Sequence, residues 1–394
     1  MIVVHLLTIL LLLYLLATIP YLFVLAAAGR FGRLPTWSSH PVKARIAVVI
    51  PSFKDDNVIL DTAGKALGQD YASYTVTVIA DSLQPETIAR LKAMSLQVVE
   101  VKWEKSMKAK SLDAALGQMD AAHYDIGFIL DADNLMSPGC LEKVNHAFQS
   151  GRKAIQCHRT AKNKNTAIAT LDAISEEINN TIFRRGQRVL GLSCALIGSG
   201  MAFEFGLLKD IFASPTIQNN PGEDKEVEVQ LIKRGIPVEY LEDAFVLDEK
   251  VQRKEVFEKQ RTRWLGMQLE NIKLLFARDM RHLLTKGIYI HKIFEWLLLP
   301  RLFLMALFAL LLACCAVDAR TSLHLLSPPW PWWAALALVY AATLLIATPS
   351  AFYNAGTLKA LLKIPVLLFS MLKALMSVKK NKKGFIHTPK EFSR

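Results

Sequence analysis

The chain has 394 residues, 52% of them hydrophobic, and a formal net charge of +12; its mean hydropathy is +0.26. That length holds one domain of ordinary size plus an apolar remainder that a soluble core does not need, which points to membrane. Basic residues flank the apolar runs instead of alternating with aromatic side chains along a groove, so a nucleic-acid partner is excluded, and the 5 scattered cysteines (Cys140, Cys157, Cys194, Cys314, Cys315) contain no CxxC pair that would mark a disulfide framework or a zinc site.

Residues 2–28 carry no charged side chain apart from the titratable His5, enough to cross about 30 Å of hydrocarbon as a helix. No basic residue precedes this run, and it exceeds the ~7–15 residues of a secretory core, so it reads as a retained anchor. Arg30, Arg33, Lys43 and Arg45 follow directly and put its C-terminal end in the cytoplasm.

From residue 46 to about residue 248, short apolar runs alternate with helical patterns, which predicts an α/β domain with a mostly parallel sheet. Strands are expected at 46–50, 74–80, 96–101 and 126–130, with helices at 58–67, 86–93 and 108–118. Ligands of such sheets sit beyond the carboxyl ends of the strands. Pro51, Ser52, Phe53, Lys54, Asp55 and Asp56 follow the first strand, Asp81 the second, and Asp131 and Asp133 the fourth. Acidic side chains are therefore expected to gather at one rim.

Asp131 and Asp133 are two apart; if the strand continues, they point to the same side and share a Mg²⁺ or Mn²⁺ ion through hard carboxylate oxygens. Aspartates at this spacing also cap turns in many proteins, so the pair needs context. Gly222, Glu223 and Asp224 supply it, just before a helical run at 225–233. A carboxylate on a loop over the site can take the proton of an attacking hydroxyl, and Asp224 is the expected base, with a helix N-cap as the competing reading. Further on, Gln260, Arg263 and Trp264 fall at i, i+3 and i+4 of a helix, offering an amide, a guanidinium for a pyrophosphate and an aromatic plane for a sugar ring. A basic amphipathic helix resting on a membrane is compatible with the same pattern.

A second apolar run at 296–317 leads into a base-poor loop ending in Pro328, Pro329, Trp330, Pro331, Trp332 and Trp333, expected outside at the headgroups, and a third at 333–348 returns inside. Lys359, Lys363 and Lys373 interrupt the stretch 358–378, and Pro365 kinks it, so it reads as a helix in the inner interface. Three spans are expected, with four as the alternative, and the tail Lys379, Lys380, Lys382, Lys383 stays inside. Arg301, near the cytosolic end of its run, reads either as snorkelling to the headgroups or as an intramembrane functional group.

The segments VVIPSFKDD (48–56), IADS (79–82), KAKSLDAAL (108–116), LDADN (130–134), GSGMAF (198–203), GED (222–224) and QRTRW (260–264), in this order and between apolar flanks, resemble the membrane family 2 glycosyltransferases, among them the cellulose, chitin-oligosaccharide and hyaluronan synthases. The resemblance implies a GT-A, Rossmann-like domain and inverting transfer of a sugar from a UDP-sugar to a hydroxyl of a growing polysaccharide, at the inner face of a bacterial inner membrane. It implies that Pro51, Asp55 and Asp81 hold the nucleotide, Lys108, Asp131 and Arg263 the diphosphate, and Asp131 and Asp133 the metal. Gly198 and Ser199 would form the acceptor floor, Asp224 with Glu223 the catalytic pair, and Gln260 and Trp264 the cover over the acceptor. Phe385, Thr388 and Lys390 look like an FxxTxK gate. The departures are Gly222 for the usual threonine, Lys54 where asparagine is common, and Ile197 where cellulose synthases carry cysteine, which argues against cellulose as product.

The implied organisation is an anchor (1–29), a linker (30–45), the cytosolic catalytic domain (46–250), QxxRW and interface helices (251–292), C-terminal transmembrane and interface helices (293–378) and a basic tail (379–394). The alternative acceptor is a lipid, of ceramide or polyprenyl-phosphate type. A non-catalytic scaffold or transporter is disfavoured by the intact carboxylates and the few spans.

Overall fold

The computed structural model describes residues 2–278, 287–321 and 326–378. The chain opens with α1 (Ile2–Phe31) and an extended stretch, then runs β1 (Ile46–Phe53), α2 (Asp56–Leu67), β2 (Tyr74–Asp81), α3 (Pro85–Lys92), β3 (Gln97–Val101), α4 (Lys108–Gln118) and β4 (Ile126–Ile129). These strands pair in parallel, with β1 between β2 and β4. Residues 46–50 of β1 are wholly buried because both faces of the sheet are covered, and so the strand reads as an unbroken apolar run. Ile46, Val48 and Ile50 pack into one core with Ile59 of α2, while Ala47 and Val49 face a second with Leu112 of α4.

The second half departs from the expectation of a mostly parallel sheet. After β5 (Leu135–Met136), α5 (Cys140–Gln149), β6 (Ala154–Ala161), α6 (Ala167–Asn179), a π-helical turn (Asn180–Gly186) and α7 (Gln187–Val189) comes β7 (Met201–Glu204), followed by α8 (Phe205–Phe212), α9 (Pro215–Gln218), α10 (Glu223–Lys233) and β8 (Glu239–Asp248). The sheet order is β3-β2-β1-β4-β7-β6-β8-β5. β7 runs antiparallel to both β4 and β6, β8 is parallel to β6, and β5 is antiparallel to β8, so the sheet is mixed. Because β7 enters directly after the loop containing Gly198 and Ser199, its antiparallel register lays that loop against the end of β4, where the Gly200 N–H donates to the Ile129 carbonyl at 2.9 Å.

A helical body follows: α11 (Lys254–Arg278), α12 (Gly287–Leu297), α13 (Arg301–Asp318), α14 (Pro331–Ala347), α15 (Ala355–Leu361) and α16 (Ile364–Val378). Among the described residues two helices, Val3–Phe31 and Arg301–Asp318, are long and apolar enough to cross a membrane. The third expected span corresponds to Pro331–Ala347, a shorter apolar helix, and the stretch 358–378 is a helix pair bent by 45°. The bend lies at residues 362–363, just ahead of Pro365. Leu10, Leu13 and Leu310 project outward with no apolar cover.

The N-terminal helix is fastened to the sheet domain through backbone. A Cβ at Gly29 would overlap the Thr181 carbonyl oxygen, and one at Gly186 would overlap the carbonyl oxygen of Leu25. Arg185 donates from the π-helical turn to the carbonyls of Gly29 and Gly32. Gly186→Ala is expected to destabilise the protein by ~1–3 kcal/mol through overpacking, read as a lower midpoint in thermal unfolding of the purified protein; an unchanged midpoint would show that the two backbones do not meet.

Candidate functional site

The ends of β1, β2 and β4 meet a loop from β7 and the first turn of α10 around one cavity of about 1030 Å³. Pro51 of β1 lies on its wall, as do Asp55 and Asp81. Asp55 occupies the residue before α2, where its carbonyl accepts the N–H groups of Val58 and Ile59. Asp81, the last residue of β2, is buried among hydroxyls: Ser82 and Ser106 donate to Oδ1 at 3.0 and 3.2 Å, and Ser111 donates to Oδ2 at 3.2 Å. Both strands turn away through left-handed residues, Lys54 at φ 56° and Ser82 at φ 58°. An L side chain pays for that conformation, and asparagine less than most.

β4 stops at Ile129, so the alternation argument for Asp131 and Asp133 does not apply; a turn, closed by the Asn134 N–H on the Asp131 carbonyl at 3.0 Å, carries both to the cavity wall instead. Buried Asn134 ties the turn to β8, donating to the Leu247 carbonyl at 3.3 Å and to Asp248 Oδ1 at 3.0 Å. The Asp131 N–H donates to Ser199 Oγ at 3.0 Å.

Lys108, at the start of α4, draws the pieces together. Its Nζ donates to Asp131 Oδ1 at 2.6 Å and to the Gly198 carbonyl at 2.5 Å, and lies 3.4 Å from Glu223 Oε1. Gly198 has φ +81°, a conformation that a side chain would strain. The α10 helix begins at Glu223 with Gly222 as its N-cap, so the competing reading of Asp224 as the cap is not what the fold adopts. Asp224 sits one residue further in, on the cavity wall, and its Oδ1 accepts the Lys225 N–H at 2.9 Å. Burial pushes the Glu223 carboxyl above its usual pKa, Asp224 and Asp131 add to this, and Lys108 opposes it.

Gln260, Arg263 and Trp264 of α11 all line the same cavity. Gln260 Oε1 is buried with no hydrogen-bond partner among the described residues. The neighbouring Arg261 lines it too, where it pairs with Asp172 of α6 and stacks 4.1 Å from the Trp264 ring centroid. One face of the tryptophan is thereby taken.

A buried ionic group escaped the sequence reading because its members are scattered through β6, α6 and the end of β8. Arg159 Nε is 2.8 Å from Glu176 Oε1, its Nη1 donates to the Ile197 carbonyl at 3.3 Å, and Lys250 pairs with Glu176 and, at 2.6 Å, with Asp248. Burial opposes the Arg159 charge, yet Glu176 and Asp248 outweigh it and hold the guanidinium above its usual pKa. Arg301 does not reach outward as a snorkelling side chain would; it donates to Ser175 Oγ at 2.9 Å and Asn179 Oδ1 at 2.6 Å, on the cavity wall. From there the cavity continues between apolar helices to Leu304, Tyr340 and Leu344. Phe385, Thr388, Lys390 and the basic tail lie outside the described residues.

Among the described residues no group of three or more His, Cys, Asp or Glu side chains is arranged to hold a metal ion. Of the carboxylates on the cavity wall, Asp131 and Asp133 offer hard oxygens of the kind a divalent ion takes.

The mixed sheet carries carboxylates at the ends of its parallel strands, beside a lysine and a glycine-bearing loop, and its fold has a glycosyltransferase among its solved neighbours. The family model described as "Glycosyltransferase like family 2" matches residues 44–266, and the chain belongs to that family and is a glycosyltransferase. Among solved structures, the mannosyltransferase PcManGT from Pyrobaculum calidifontis, in complex with GDP-Man and Mn²⁺, aligns with a TM-score of 0.60 at 15% identity, covering 96% of this chain and 100% of that one. Glucosyl-3-phosphoglycerate synthase from Mycobacterium tuberculosis, in complex with Mn²⁺, UDP and phosphoglyceric acid, has a TM-score of 0.42 at 15% identity over 61% of this chain and 84% of its own. S. aureus TarS 1-349 has a TM-score of 0.42 at 13% identity over 86% and 92%. At 15% identity the likeness to PcManGT is one of fold. No curated protein matches the chain.

Lys54→Asn, which keeps the turn but suits its left-handed backbone, is expected to stabilise the protein by about 1 kcal/mol; thermal unfolding of the two proteins side by side checks this, and a lower midpoint for the variant would count against strain at Lys54.

Proposed function

We propose that the protein is an inverting glycosyltransferase of the bacterial inner membrane, with its catalytic domain (46–250) in the cytoplasm, that moves a sugar from a UDP-sugar to a hydroxyl of a growing polysaccharide. The observation that carries this reading is the single cavity in which Asp131, Asp133, Glu223 and Asp224 meet Gln260, Arg263 and Trp264 and which continues between the apolar helices to Tyr340. A chain held there has its growing end at the carboxylates and its older part among helices suited to a bilayer.

In this reading Pro51, Asp55 and Asp81 hold the uridine, and Lys108 and Arg263 face the diphosphate. Asp131 and Asp133 hold Mg²⁺ or Mn²⁺, which when bound neutralises charge on the departing diphosphate. The acceptor rests on Gly198 and Ser199 under Gln260 and Trp264. Its hydroxyl oxygen attacks the anomeric carbon from the face opposite the leaving group while its proton passes to the Asp224 carboxylate. The bond from that carbon to the β-phosphate oxygen breaks, UDP departs with the electron pair, and the configuration inverts. Glu223, whose carboxyl burial pushes up, stands beside Asp224 in the first turn of α10 and faces the Lys108 ammonium at 3.4 Å.

A second reading, transfer of one sugar to a lipid, is favoured by Leu298, Leu299, Leu304 and Leu344 on the far wall of the cavity. Product size separates the two: purified enzyme given UDP-sugars and Mn²⁺ should yield a ladder of oligomers, and a single extractable glycolipid would replace the first reading with the second.

Asp224→Asn is expected to leave UDP binding within about twofold while slowing transfer by roughly 10²–10⁴; turnover at the original rate would move the base elsewhere. Asp133→Ala should remove the Mn²⁺-dependent part of UDP affinity in isothermal titration. Equal UDP affinity of the unaltered protein with and without Mn²⁺ would rule out this metal assignment.

A further inference from the structure

Behind the Glu223–Asp224 turn lies a second buried ionic cluster. Glu228 of α10 is 1% exposed, Lys292 of α12 is 2% exposed and Glu295 is 8% exposed. Lys292 Nζ lies 3.2 Å from Glu228 Oε2 and 2.9 Å from Glu295 Oε2, and Gln187 Nε2 donates to the same Glu295 oxygen at 2.8 Å. Glu228 turns its other oxygen to the chain: Oε1 accepts the Leu196 N–H at 2.6 Å and the Lys225 ammonium at 2.6 Å. Lys225 in turn donates to the Leu196 carbonyl at 2.9 Å. Both backbone groups of Leu196, two residues before Gly198, are thus gripped by side chains of the helix whose first turn bears Glu223 and Asp224.

We infer that Glu228 and Lys292 are positioning residues: they lock the loop 196–199 to the Glu223–Asp224 turn and so set where an acceptor hydroxyl lies relative to its base. Neither lines the cavity, so neither touches substrate among the described residues. The cluster holds two carboxylates and two ammoniums, a balance that lets charged groups stay buried. A loop alone would wander; hydrogen bonds to a charged side chain in a low-dielectric interior resist displacement. Transfer is sensitive to such displacement, because a shift of about 1 Å in a reacting group costs roughly 10²-fold in rate. Water needs no floor, so donor hydrolysis escapes the constraint. α12 is the helix that delivers the lysine, and so the placement of the acceptor is tied to the helical body and not to the sheet alone.

The inference rests on Gly198 and Ser199 as the acceptor floor and Asp224 as the base. Its test uses the full-length purified enzyme with a UDP-sugar, acceptor and Mn²⁺, and compares sugar transferred with sugar lost to water. The paired variant Glu228→Gln with Lys292→Met removes one charge of each sign and keeps an amide oxygen for the Leu196 N–H. It is expected to bind UDP within about twofold, to transfer roughly 10- to 100-fold more slowly, and to lose a larger share of donor to water. Lys292→Arg in the otherwise unaltered enzyme should keep the original partition. Should the paired variant fail to fold, Glu228→Gln alone carries the same comparison. An unchanged partition overturns the inference, as does a loss in which transfer, hydrolysis and UDP binding fall together. The base is tested separately by Asp224→Asn, so full turnover there removes that reading, whereas an unchanged partition here removes only the clamp.

Discussion

Carboxylates do not collect in a crevice unless something positive holds them there, and in this protein that role falls to Lys108. Its ammonium contacts Asp131, lies near Glu223 and takes the Gly198 carbonyl, so one side chain joins the end of β4, the start of α10 and the loop before β7. Carboxylates gathered in one crevice repel one another, and the ammonium between Asp131 and Glu223 offsets that repulsion. With the cation, the three chain segments hold one geometry. In the proposed reading the same ammonium faces the diphosphate of the donor.

The parallel half of the sheet was legible because its strands are buried on both faces and stand as apolar runs closed by acidic residues. The mixed half was not. β8 carries Glu239, Glu242, Asp243 and Asp248 in ten residues, since several of its side chains form ion pairs instead of apolar core; such a strand has no apolar alternation to find. β7 is four residues long and was absorbed into a motif. The acidic residues of the site were legible as residue types at strand ends, whereas the reason that brings Asp131 and Asp133 to one wall was misjudged: a turn does it, not strand alternation. Arg159, Glu176 and Lys250 gave no signal at all, because no local spacing links positions drawn from β6, α6 and the end of β8.

Two buried ionic groups stand by the site, one on the cavity wall around Arg159 and Glu176, the other behind it around Glu228 and Lys292. The second bridges the sheet domain and α12 beyond it. Buried ion pairs contribute little net stability against apolar packing of the same volume, but they penalise any misregistered arrangement heavily. Their location where α6 packs on β6 and where α10 meets α12 fits a requirement for fixed relative placement more than one for stability.

The contact of α1 with the π-helical turn leaves no room for even a methyl group at Gly29 or Gly186. A helix that meets its neighbour main chain to main chain is a wall of the molecule, not a leash. Leu22 of that wall borders the cavity itself. Excising the first thirty or so residues to obtain a water-soluble fragment would therefore open a hole beside the reaction chamber and strip Arg185 of the carbonyls it donates to. Exchanging the segment for a generic hydrophobic helix would do the same, whatever its affinity for lipid.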